Sequence, residues 1–227
     1  MVILAADLTG IAGGLHHHAL IENGPPLPIA TVLFLAGWTV MVAAMMLLPS
    51  LPAIDAVGAA TERLHGHPRV GERAWFLAGF GLVWLAFGLV AFLADDVLHH
   101  VVDATPWLAV RPWLISAGVL GLAGAMQFSP AKRHGLTACR HPAAAVHVVT
   151  HAPGTLGRLG FRHGLDCLGA SWALMLLMFA EGFASPLWMA GLTVLMVYEV
   201  VGRHADRAVV VSGVVLLLLA LSTLTGA

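Results

Sequence analysis

The chain has 227 residues, of which 59% are hydrophobic and only 10% charged, whereas soluble domains carry about 25% charged residues. Together with a mean hydropathy of +0.88, this excludes an ordinary soluble globule. A formal net charge of −1 without any large basic patch gives no support to nucleic acid as a partner.

The long apolar runs do not alternate, which argues against a β-barrel. They predict an all-α, polytopic membrane helix bundle, because helices satisfy their own backbone in lipid. About six transmembrane helices are expected, in a single domain over residues 27–227 preceded by an outer segment, 1–26. The opening residues lack a Lys/Arg-rich stretch, so no cleaved signal peptide is expected.

The first span covers about 27–48 and ends at "PSLP". Its "MVAAMM" places Met41 and Met45 one helical turn apart, with Met46 beside them. The second covers about 74–94 and stops at "ADDVLHH". There Asp95 and His99 are four residues apart, as are Asp96 and His100, and Asp103 follows one turn after His99. The outer segment adds His16, His17, His18 and Glu22. Carboxylates and imidazoles at this spacing suit zinc, Cu(II) or another divalent ion. A solvated helix end that binds nothing is the plain alternative.

The third span, about 106–128, is interrupted by Arg111, and its Gly118, Gly121 and Gly124 would permit close helix packing. A long cytoplasmic loop is expected over 129–162, in which "PAAAVHVVTH" suits a short helix on the membrane surface. His65, His67, His134, Cys139, His141, His147 and His151 fall in cytoplasmic connections. "HGH" (65–67) is one possible chelate and "CRH" (139–141) with His147 and His151 another, but none has the spacing of a structural zinc site, and most read as loop or interface residues.

The fourth span, about 163–183, is the chemically unusual one. At 100° per residue, His163, Cys167, Ser171 and Met175 share one face, Met178 stays near it, and Glu181 returns to it. Thiolate and thioether ligands are soft and favour Cu(I), while imidazole suits copper or zinc. The competing reading is core packing, since methionine fills gaps in any apolar interior. The fifth span, about 186–201, contains Glu199. An ionisable residue there is either functional or paired with a basic residue near the cytoplasmic end. The sixth covers about 208–224.

Ten of the eleven Lys and Arg residues fall on one side of these spans, and only Arg111 falls on the other. The positive-inside rule then puts the basic loops in the cytoplasm and both termini outside. Cys139 and Cys167 lie near that reducing side, so no structural disulfide is expected. No Walker loop, dinucleotide fingerprint, GxSxG elbow or HExxH is present.

"GWTVMVAAMMLLPS" (37–50), "SPAKRHGLTACRHP" (129–142) and "RHGLDCLGASWALMLLMF" (162–179) resemble a bacterial family of predicted metal-binding integral membrane proteins of unknown function. The resemblance rests on Trp38, Thr39, Met41, Ala44, Met45, Met46 and Pro49, and on Arg162, His163, Gly164, Cys167, Leu168, Gly169, Trp172, Ala173, Leu174 and Met175. It covers about residues 30–205 and implies metal binding in a bacterial cytoplasmic (inner) membrane. Relatives often carry further cysteines after C-L-G, where this chain has Ala170 and Ser171.

Three functions follow as expectations. The first is copper handling, by binding, transport or delivery. Met41, Met45, Met175 and Met178 would hold Cu(I), His163 and Cys167 would receive it, and Asp95, Asp96, His99 and His100 would capture ions outside. The second is an accessory subunit of a larger membrane complex, such as a copper-dependent oxidase or monooxygenase, with other subunits or a second copy of the chain as partners. The third, ranked last, is a metal-dependent membrane enzyme with its metal at the outer cluster.

Overall fold

The computed structural model describes residues 26–66, 70–111, 113–141, 153–181 and 186–225. Those residues are almost wholly helical: α1 (Leu27–His65), α2 (Val70–Asp103), a single turn α3 (Pro106–Ala109), α4 (Trp113–Met126), α5 (Pro130–Arg140), α6 (Pro153–Glu181), α7 (Pro186–Val201) and α8 (Ala205–Thr225). The surface helix expected over 142–151 and the histidines at 16–18, 67, 147 and 151 lie outside the described residues.

Local chemistry sets several boundaries. α1 ends at Gly66, whose φ of 73° is left-handed and whose N–H caps the Glu62 carbonyl, a conformation that glycine adopts without a Cβ penalty. Arg111 falls in a break between α3 and α4, which removes the charge from the span it was expected to interrupt. Ser129 caps α5 by accepting from the Lys132 N–H at 3.1 Å, with Pro130 at the first helical position. α5 then turns back by 61° from α4.

Three helices, Leu27–Arg63, Gly71–Asp103 and Ala205–Thr225, are long and apolar enough to cross a membrane, or four if the bent pair of α4 and α5 counts as one span. α6 is long but carries Arg158, Arg162 and Asp166 in its first half. α7 is apolar but shorter.

α1 and α2 form an antiparallel hairpin. Phe34 stacks on Phe92 at 4.5 Å between ring centroids, and the Trp38 indole N–H donates to the Trp84 carbonyl at 2.8 Å. α2 and α6 run parallel in the most extensive contact of the bundle. Their seam is made of glycines: a Cβ on Gly79 would overlap the Gly157 carbonyl, and one on Gly160 would overlap the Phe76 carbonyl. α4 packs antiparallel on α8 where Gly124 meets Leu217 and Gly213. These directions gather Arg63, Arg73, Arg133, Arg140, Arg158, Arg162, Arg203 and Arg207 at one end of the bundle, with Arg111 at the other.

Candidate functional site

At the basic end, α1, α5, α6 and α7 enclose a small cavity. Its walls include Met46 and Ser50 from α1, Lys132 and Cys139 from α5, Cys167 from α6, and Met196 and Glu199 from α7. Its volume of about 20 Å³ is room for a single water-sized sphere.

The sequence builds each wall for a reason. Lys132, Gly135, Leu136 and Cys139 form the buried stripe of α5, the i, i+3, i+4, i+7 pattern of one helix face. Gly135 lets that face close on α6, since a Cβ there would overlap the Asp166 carbonyl and crowd Ala170. Cys139 is thereby brought to Cys167. Pro49 and Pro52 lie inside α1, and neither has an N–H for the carbonyl one turn earlier. Pro49 lines the cavity.

Cys139 and Cys167 both line the cavity, and both residues are buried. The Ser171 hydroxyl donates to the Cys167 backbone carbonyl at 2.7 Å, Ser50 lines the same cavity, and Cys167 Sγ lies 4.0 Å from Met46 Sδ. Among the described residues, the two cysteines remain free thiols. Two thiols and two thioethers therefore face one cavity.

Its polar wall is an ion pair. Lys132 Nζ donates to Glu199 Oε2 at 2.6 Å, and both side chains are 1% exposed. Glu199 Oε1 accepts from Gln127 Nε2 at 3.0 Å, and that nitrogen also lies 3.0 Å from Ser212 Oγ. Arg140 donates from Nε and Nη2 to the Glu199 backbone carbonyl at 2.9 and 2.8 Å, and from Nη1 to Asp206 at 2.7 Å. The Lys132 ammonium is within electrostatic reach of both thiols. Glu199 thus has the basic partner that the sequence allowed as one of its two explanations.

His163 is buried between the rings of Phe76 and Phe80, at centroid distances of 5.6 and 5.8 Å. Its Nε2 lies 3.2 Å from Ser50 Oγ. His163 thus reaches Ser50, which lines the cavity, without lining it itself. Met41, Met45, Met175 and Met178 all lie buried in the core cluster that also contains Met46, Met196 and both cysteines, but none of the four lines the cavity.

The outer residues are arranged differently. His99 Nδ1 lies 2.8 Å from the Asp95 carbonyl oxygen and 3.7 Å from Asp95 Oδ2. His100 Nδ1 lies 2.8 Å from the Asp96 carbonyl oxygen. Each imidazole is turned onto its own helix. Among the described residues, no group of three or more His, Cys, Asp and Glu side chains gathers to hold a metal ion.

Met46, Met196 and Lys132 were not singled out as ligands from the sequence, and Cys139 was weighed there only as a loop chelate with His141, His147 and His151. The signal for the last two was the spacing of Lys132 and Cys139, two turns apart on one face of an amphipathic segment. Met196 shows no such signal; only the packing of α7 brings it in.

A helical protein whose buried cavity offers thiols and thioethers has the donor chemistry of a soft-metal carrier. The chain belongs to the PpoB2 family of copper chaperones, whose family model matches residues 35–223. No curated protein and no solved structure matches it.

Proposed function

We propose that this copper chaperone is embedded in the bacterial cytoplasmic membrane and holds its cargo, one Cu(I) ion, between Cys139 and Cys167. Met46 and Met196 supply the remaining soft donors. The observation that carries the reading is the meeting of two buried thiols, 28 positions apart in the chain, on a cavity of about 20 Å³ also lined by two thioethers. Thiolates and thioethers favour Cu(I) over harder divalent ions. Cu(I) with two thiolates has one net negative charge, and the Lys132 ammonium beside the thiols offsets it.

The orientation rests on the basic end, which the positive-inside rule assigns to the cytoplasm. The cavity then lies at the reducing side, where Cys139 and Cys167 stay a dithiol. His163 supports Ser50 on the cavity wall as a positioning residue.

The test is elemental mass spectrometry on protein purified in mild detergent under reducing conditions, without a histidine tag. The expected result is a copper-to-protein ratio near one that a Cys139→Ala/Cys167→Ala variant loses. Equal copper in both preparations, or none in either, overturns the site.

A further inference from the structure

Beside the sulfur cavity lies a second depression, open to solvent, with a volume of about 430 Å³. That is within the range of small-molecule sites, about 300–1,000 Å³. It is lined by Arg140, Arg203, His204, Asp206 and Arg207, with Val200 and Gly202 beneath. Three arginines face one carboxylate, and that carboxylate is held by Arg140 at 2.7 Å. Arg203 and Arg207 are exposed. The groove is therefore cationic at its mouth.

Its floor is shared with the cargo cavity. Val200 lines both. Arg140 follows Cys139 in the chain, lines the groove, and grips the carbonyl of Glu199, which lines the cavity. Val200 and Arg140 thus join the wall of the groove to the wall of the cavity.

We infer that this groove docks a small anionic Cu(I)–thiolate complex, which hands its ion to Cys139 and Cys167. The inference rests on the dithiol cavity being the copper site. Its charge logic is elementary: Cu(I) bound by two thiolates is an anion before any carboxylate on the carrier is counted. The transfer is ligand exchange without redox change. Each carrier Cu–S bond breaks as a Cu–S bond to a cysteine forms, and each cysteine proton passes to the departing thiolate. One bis-thiolate Cu(I) anion and two cysteine thiols become two neutral carrier thiols and one bis-cysteinyl Cu(I) anion. The net charge carried into the cavity is −1, facing Lys132. Each departing carrier has a neutral thiol and less negative charge than the complex that entered, so it leaves the cationic groove more readily.

The probe is the bis-glutathione complex of Cu(I), compared with the cationic acetonitrile complex of Cu(I). Copper retained by detergent-purified protein is followed in time after rapid gel filtration. Arg203→Ala/Arg207→Ala is expected to slow loading from the glutathione complex about tenfold, as loss of electrostatic steering does. Loading from the acetonitrile complex and the final copper-to-protein ratio should stay unchanged, and Arg203→Lys/Arg207→Lys should restore most of the rate. Equal loading rates from glutathione in the native and alanine proteins overturn the groove while leaving the cavity standing. A native protein that takes copper from neither donor overturns both.

Discussion

The two ends of the bundle carry similar side-chain chemistry and use it in opposite ways. At one end, Asp95, Asp96, His99 and His100 are drawn from a single helix, and both imidazoles fold onto backbone carbonyls of that helix. At the other, Met46, Cys139, Cys167 and Met196 come from four helices and converge on one cavity. Spacing of four residues makes neighbours, but neighbours on one exposed face can satisfy each other or their own backbone. A site that holds an ion needs donors aimed at a common point from several directions, and tertiary packing supplies that.

The largest expected effect tests this contrast directly. An Asp95→Asn/His99→Gln/His100→Gln variant should keep the copper that Cys139→Ala/Cys167→Ala loses completely, as read by elemental mass spectrometry on matched preparations. Loss of copper in the outer variant would reverse the assignment of the two ends.

Next in size is the ion pair behind the cavity. Glu199→Leu leaves the Lys132 ammonium buried at 1% exposure without its carboxylate, and breaking a buried pair costs about 3–5 kcal/mol. Adding Lys132→Met should recover most of that loss, because it removes the stranded charge. His100→Gln at the exposed outer end should change stability by less than about 1 kcal/mol. Thermal unfolding in detergent compares all three. A Glu199→Leu protein as stable as the double variant would show that Lys132 finds another partner.

The distinction between the ends also explains what was legible in the sequence. Apolar runs announced an all-helical chain, and α1, α2 and α8 bear out three spans by length and composition. Glu199 announced either a function or a basic partner, and Lys132 is that partner. The His163–Cys167 spacing put both residues on the correct helix, yet the ring of His163 meets Ser50 rather than the cavity. Residues 130–140 read as loop because their charges lower the hydropathy, although their buried stripe is that of an amphipathic helix. Which methionine faces the thiols depends on helix rotation. Met45 and Met46 are adjacent, both are buried, and only Met46 reaches the cavity.

The glycine seam gives a mid-sized effect. Gly160 on α6 has no space for a Cβ against the Phe76 carbonyl, whereas nothing lies within 4 Å of one on Gly118. Gly160→Ala should force α2 from α6 and cost about 1–3 kcal/mol, as overpacking does. Gly118→Ala should be neutral or stabilising, because alanine is the better helix former by about 1 kcal/mol. Because Gly160 lies one turn before His163, its variant should also loosen the inner cavity and lower copper retention. Gly118→Ala should leave retention unchanged. Equal thermal midpoints for the two variants would contradict the close α2–α6 approach.

The smallest effect separates a donor from a filler. Met46 and Met178 are both fully buried in the same core cluster, so a leucine at either position costs similar packing energy, under about 1.5 kcal/mol for a volume-conserving swap. Their chemistry differs: Met46 Sδ is 4.0 Å from Cys167 Sγ and lines the cavity, and Met178 does not line it. Met46→Leu should therefore weaken Cu(I) retention about tenfold in competition with a bicinchoninate chelator, equivalent to ~1.4 kcal/mol. Met178→Leu should leave it unchanged. Because the two variants share the same packing loss, a difference between them reports on the thioether alone. Equal affinities would reduce the site to its two thiols and make every methionine in the bundle a packing residue.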